Sequence, residues 1–172
     1  TRKLSILYLI ALCHLGLLGK PFHVYSPSSK QNTLWIVKAI PKGESLKLEV
    51  AEKVKFGFSV RVITAHPSKP LLYVTATGGD PGKVPGAVVF LNKDGSYQKH
   101  QNINFNDGAC YLSLDKENRH ILGVSYGNGR LNVYPLDEKG IPGKAVTTID
   151  EGKREAHCVL LPPDGKNVYV PY

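Results

Sequence analysis

Three residues able to do chemistry recur at nearly one interval along this 172-residue chain: Arg61, Cys110 and His157, separated by 49 and 47 residues. A histidine side chain titrates near neutrality and can carry a proton in a transition state, a role worth about 10²- to 10⁴-fold in rate. An arginine offers a planar fork of donors to a carboxylate or phosphate. If the interval belongs to a structural repeat, these residues occupy one slot in three successive units and meet wherever the slots converge. Arg154, three residues before His157, is a second candidate for holding an anionic group. His157 could equally do no more than satisfy the loop that leads into its strand, and periodicity alone leaves both readings open.

The elements that would position these residues are short strands. Gly108 to Pro135 reads as an apolar strand (Tyr111 to Leu114), a polar turn (Asp115 to Arg119), a second strand (His120 to Tyr126), an Asn128-Gly129 corner and a third strand (Arg130 to Tyr134). Asn-Gly between alternating apolar runs signals a tight hairpin, because both residues tolerate positive φ. The second strand has counterparts at Leu71-Leu72-Tyr73-Val74 and Asn167-Val168-Tyr169-Val170, and each is preceded by a turn: His66 to Lys69, Asp115 to Asn118, Pro162 to Gly165. Closing turns match as well, at Leu91 to Gly95 and Leu136 to Gly140.

A period of about 40 to 50 residues with several short strands per unit is the mark of a β-propeller blade. A helical solenoid shares the period but not the Val, Ile, Tyr and Thr at twofold spacing or the Gly and Pro punctuation. The fold class expected is therefore all-β, a β-propeller, with units at about 21–55, 56–100, 101–148 and 149–172. In a propeller the innermost strands line the central channel, so Arg61, Cys110 and His157 are expected at one mouth of it, where polar groups for a ligand gather. About three and a half units do not close a ring, since propellers have typically four to eight blades. The expectation is a fragment of a longer protein or, failing that, assembly with another copy.

Within the first unit, Leu46, Leu48 and Val50 alternate with polar residues and predict a strand with one buried face, while Trp35 reads as filler between sheets. In the second, Val60 to Ala65, Leu71 to Thr77, Gly86 to Leu91 and Tyr97 onward are the expected strands. Gly78-Gly79-Asp80-Pro81-Gly82-Lys83 has some glycines of a phosphate-binding loop. Thr77 replaces the first Gly, Val84 replaces the magnesium-side hydroxyl, and no helix follows, so an ordinary loop is expected.

Composition narrows the function class. The net charge is +8, yet there is no basic helix, aromatic RNA-binding strand or Lys/Arg cluster. Solvated turn lysines that attract small anions are expected, and no nucleic-acid partner. Residues 1–20 differ from the rest: Arg2 and Lys3 precede an apolar run from Leu4 to Leu18 broken only by Ser5, His14 and Gly16. That run is short for a membrane span and suits a secretory leader, so export to a periplasm or medium is expected, with a retained anchor or a buried strand of the fold as the alternatives; without a leader function the chain would be cytoplasmic. Cys13 lies in this stretch, and Cys110 and Cys158 sit on the first strands of neighbouring units, where no disulfide is expected. With no Cys-x-x-Cys or His-x-x-x-His spacing, no metal or other cofactor is expected.

Three strings in order, Gly108-Ala109-Cys110-Tyr111-Leu112-Ser113-Leu114-Asp115, Ser125-Tyr126-Gly127-Asn128-Gly129, and Glu155-Ala156-His157-Cys158-Val159 followed by Pro163 to Pro171, resemble the seven-bladed propeller lactonase family. That family includes propeller-type 6-phosphogluconolactonases and a fungal carboxy-muconate cycloisomerase. The resemblance runs from about residue 22 to 172 and corresponds to the family's N-terminal half. It implies hydrolysis of a sugar lactone, without a metal, at the channel mouth of a monomeric ring. His157 matches the family's histidine at the start of a channel-lining strand and is the implied catalytic residue. Tyr126, in the Tyr-Gly-x-Gly segment, is the implied substrate-side neighbour, with Arg61 or Arg154 for an anionic group. Further family site residues fall in later blades, so these residues alone are not expected to be active. The alternative is a non-catalytic exported propeller that serves as a binding platform.

Overall fold

A computed structural model describes residues 19–76 and 78–172; residues 1–18, which include Cys13 and most of the expected leader, and Thr77 lie outside the described residues. The chain forms β1 (Phe22–Ser28), β2 (Thr33–Lys42), β3 (Ser45–Lys55), β4 (Val62–Ala65), β5 (Leu71–Thr75), β6 (Val84–Leu91), β7 (Tyr97–Phe105), β8 (Tyr111–Leu114), β9 (His120–Val124), β10 (Leu131–Pro135) and β11 (Thr147–Ile149). They pair antiparallel, each with its sequence neighbour, into β1-β2-β3, β4-β5-β6-β7 and β8-β9-β10-β11. These are up-and-down meanders laid side by side, as propeller blades are. After Ile149 the only described pairing of the next unit is a Leu160–Tyr169 bridge.

The blades are held together face to face. On β5, Leu72 and Val74 point to one side and pack with Leu34, Ile36 and Val54 of the first sheet, while Leu71 and Tyr73 point the other way. Twofold alternation thus serves two interfaces at once, and all five β5 residues are buried. The second interface joins Tyr73, Val88 and Phe105 to Leu112, Ile121 and Tyr134, with the Phe105 and Tyr134 rings edge to face at 5.1 Å. Each such side chain contributes about 1.5–3 kcal/mol by leaving water. A third cluster, Leu122, Val124 and Leu131 with Ala156 and Val159, docks the segment that carries His157.

Two expectations for the first unit meet a different arrangement among the described residues. Leu46, Leu48 and Val50 of β3 are 53%, 62% and 51% exposed, with no described residue covering their face. They face the same side of the first sheet as Pro41, Ala39 and Val37, their partners in register, which is the side away from β5. Trp35, between Leu34 and Ile36, also points to that side, is half-buried and has the Lys53 ammonium 4.3 Å from its ring centroid; it does not fill the gap between the first two blades. Ser26 to Ser28 continue β1, and only Ser29–Gln31 form a 3-10 turn closed by Asn32 at φ 51°.

The turns after the innermost strands use a side-chain acceptor to gather free amides. Asp115 Oδ1 accepts from the backbone N–H of Arg119 and His120 at 2.7 and 3.0 Å. In the preceding blade His66 Nδ1 plays this part, accepting from Ser68 and Lys69 N–H at 3.2 and 3.1 Å. The ring proton therefore sits on Nε2, which is buried without a partner among the described residues. Burial, helped by the Lys69 charge, holds the His66 pKa below its ordinary value. The unfolded chain then binds this proton more tightly than the folded one. The stabilisation is complete above the unfolded value of about 6.5 and is lost as pH falls from there toward the lowered folded value. Denaturation midpoints at pH 7.5 and 5.5 should show the acid-side loss, and His66→Asn, which keeps an acceptor but no titration, should shrink it.

Candidate active site

The β9–β10 connection is the first half of the site. Gly129 N–H donates to Ser125 C=O at 2.9 Å and Ser125 N–H to Arg130 C=O at 3.0 Å, leaving Tyr126 to Gly129 as a four-residue loop. This is wider than the two-residue corner expected, and the second expected strand ends at Val124. Of the Asn128-Gly129 pair only Gly129 has positive φ, at 70°. Asn128 serves through its side chain: Oδ1 accepts from Arg130 N–H at 3.0 Å, and Nδ2 donates to Asp107 Oδ1 at 2.7 Å.

The second half is the extended segment after β11. Glu155 N–H donates to Tyr126 C=O at 2.9 Å, which ties the segment to the loop. Glu155 has φ 69°, a left-handed conformation that costs a side-chain-bearing residue about 1–2 kcal/mol. Its carbonyl oxygen lies 3.1 Å from His157 Nδ1. A carbonyl only accepts, so Nδ1 carries the proton and the neutral ring presents a lone pair at Nε2. The imidazole is exposed and meets the half-exposed Tyr126 ring edge to face, at 4.9 Å and 84°. A basic nitrogen oriented by a third group and flanked by an aromatic surface can activate a water beside a bound ring.

The structure thus brings His157 and Tyr126 into contact and treats the other candidates differently. Cys110 is half-buried beneath the segment, and its thiol donates to Ala156 C=O at 2.9 Å and Val124 C=O at 3.3 Å. Burial pushes its pKa up, so it stays a protonated brace rather than a nucleophile. Arg61 stands exposed just before β4, its backbone N–H bonded to Thr75 C=O. Its innermost strand adjoins β8 through a 2.9 Å bond from Thr64 Oγ1 to Leu112 C=O, but among the described residues nothing joins the Arg61 side chain to His157. Arg154 is also exposed, and neither arginine has an acidic partner among the described residues. Nor do the described residues hold a cluster of metal-ligating side chains or a helix long and apolar enough to cross a membrane.

Sequence reasoning missed the polar network beneath the loop. Asp107, 7% exposed, accepts from Asn128 Nδ2 and from Asn132 Nδ2 at 2.8 Å; Asn132 Oδ1 in turn accepts from Thr148 Oγ1 at 2.7 Å. Arg130 lies 3.8 Å from Asp107 and bonds Asp150 at 2.8 Å. The one hint was Asn132 at a position of β10 between apolar neighbours.

A family model described as "Lactonase, 7-bladed beta-propeller" matches residues 26–172. A 6-phosphogluconolactonase of Klebsiella pneumoniae (strain 342) is 27% identical over 146 residues, 85% of this chain and 41% of that protein. One from Pectobacterium atrosepticum is 24% identical over 152 residues, 87% of this chain and 42% of its own length. The chain therefore spans about two fifths of the curated relatives it matches. Among solved structures, the periplasmic gluconolactonase of Pseudomonas aeruginosa superposes with a TM-score of 0.71 at 15% identity, over 88% of this chain and 47% of that one. A protein from Lactobacillus plantarum does so with a TM-score of 0.67 at 15% identity, over 86% and 46%. At such identities these two likenesses carry the fold, a β-propeller.

Proposed function

Because this chain belongs to the seven-bladed β-propeller lactonase family, we propose that it contributes the first blades of a ring that hydrolyses a sugar lactone bearing an anionic group, of which 6-phosphogluconolactone is the reference substrate. The observation that carries this reading is His157, exposed, held through Nδ1 by the Glu155 carbonyl and set against Tyr126. Nε2 takes a proton from water as the water oxygen adds to the lactone carbonyl carbon. The tetrahedral adduct collapses by breaking the ring C–O bond, and the proton on Nε2 passes to the departing alkoxide oxygen. One lactone and one water give one hydroxy acid, and the imidazole ends as it began. Tyr126 supplies a flat apolar face to the sugar ring, and Arg154 and Arg61 supply positive charge for its anionic group. No metal or cofactor is called for in this sequence of steps.

The test is direct: the full-length protein is mixed with freshly made 6-phosphogluconolactone or gluconolactone, and acid release is followed against the spontaneous rate. Acceleration is expected, greater for the phosphorylated lactone. No acceleration with either would sink the reading, and saturable binding without turnover would favour a binding platform instead.

A further inference from the structure

We propose that Asp107, with Asn128 as its arm, is a positioning residue for the His157–Tyr126 pair; this rests on the lactonase reading for its kinetic consequence but not for its geometry. Asp107 lies on the link between β7 and β8, at the joint between two blades, and is buried. A carboxylate there is costly unless its oxygens are satisfied, and each takes a short bond from an amide: Asn128 on Oδ1 and Asn132 on Oδ2. Asn132 is fixed within β10, so the carboxylate is anchored to the sheet, and Asn128 is the only one of the two that belongs to the Tyr126–Gly129 loop.

From Asn128 the chain of contacts runs without a gap to the proposed base. Its Oδ1 closes the bend on Arg130 N–H, and Gly129 bonds back to Ser125. The loop so fixed presents Tyr126, whose carbonyl holds Glu155 N–H and whose ring abuts His157; Glu155 holds His157 Nδ1. Among the described residues Asp107 makes no hydrogen bond to His157 or Tyr126, so its role is exerted through the loop. A chain of packed groups of this kind is the physical means by which a remote residue sets a catalytic geometry, and a displacement of about 1 Å can cost on the order of 10²-fold in rate.

Asp107→Asn keeps the volume but turns one acceptor into a donor that faces an amide NH₂. In the full-length protein it should lower kcat/KM by about 10- to 100-fold, with KM rising as Tyr126 shifts and kcat falling as His157 shifts. The nuclear Overhauser contact between the His157 and Tyr126 ring protons should weaken in step. Asn128→Ala, which removes the arm and its bond to Arg130 N–H but leaves Asp107 anchored on Asn132, should give the same changes in at least equal measure, and it decides the matter if Asp107→Asn does not fold. A role in stability alone would lower only the folded fraction. Either variant keeping the ring contact, KM and kcat per folded molecule would overturn the proposal. If the unaltered protein opens no lactone, the lactonase reading fails by itself, and the ring contact still decides whether Asp107 positions the pair.

Discussion

His157→Ala is expected to remove most of the lactone-opening activity of the full-length protein, a loss of about 10²- to 10⁴-fold in kcat/KM. At 1.36 kcal/mol per tenfold this is about 3 to 5 kcal/mol of transition-state stabilisation. The fold should not suffer comparably. The His157 backbone N–H, which any residue keeps, makes the bond to Pro171 C=O at 3.1 Å, and the imidazole is exposed. What disappears is the bond from Nδ1 to Glu155 and the edge contact with Tyr126, so a thermal midpoint within about 2–4 °C of the parent is expected. Because the lactone hydrolyses spontaneously, the comparison must be made after subtracting the buffer rate. Imidazole added to the assay should restore part of the lost rate, since the exposed site leaves room for it. An unchanged rate in the variant would remove His157 from the mechanism, while a collapsed midpoint would show that its part is structural.

The blades were legible in the sequence because a repeat states its periodicity several times over. Twofold alternation at Leu71 to Val74 and at Tyr111 to Leu114, with a turn before each second strand, is enough to place strands within a residue or two of β5, β8 and β9. What covers the β3 alternation is not legible. Leu46, Leu48 and Val50 show the same pattern whether a neighbouring sheet covers them or not, because alternation reports which side a residue faces and not what lies beyond it. The candidate site was half legible for a related reason. Slot arithmetic nominates His157, and the resemblance nominates Tyr126, but the same arithmetic gives Cys110 equal standing. Only tertiary packing separates a thiol turned under the Ala156 carbonyl from an imidazole turned outward. Asp107 was invisible because a buried carboxylate and a solvated turn aspartate have the same sequence surroundings, and its two amide partners lie 21 and 25 residues away. Glu155 gave no sign of left-handed backbone, since nothing in its residue type favours it.

Gly129→Ala should damage both stability and activity, and the reason lies in two constraints that coincide at one atom. With φ at 70°, Gly129 is in the left-handed region, where a Cβ costs about 1–2 kcal/mol. That Cβ would also stand 2.0 Å from the Lys153 carbonyl oxygen and 3.2 Å from the Arg154 Cα. Neither neighbour is the end of a flexible side chain, so one backbone must yield, at a further cost of about 1–3 kcal/mol on the scale of overpacking. The total is about 2–5 kcal/mol, a large share of an ordinary domain's stability. If the segment from Lys153 to His157 is the part that moves, the bond from Glu155 N–H to Tyr126 C=O stretches first, and with it goes the edge contact of His157. The Tyr172 hydroxyl, which donates to Gly129 C=O at 3.3 Å, would be displaced from the same place. Thermal unfolding and lactone turnover measured on one preparation separate the two effects: at a temperature where the variant is fully folded, turnover should still be well below the parent's. Gly127→Ala is the matched control, two residues away in the same loop with φ not in the left-handed region and nothing within 4 Å of its added Cβ, and it should change either quantity little. Equal behaviour of the two variants would mean that the loop and the segment are not held in the close contact on which the His157 geometry depends.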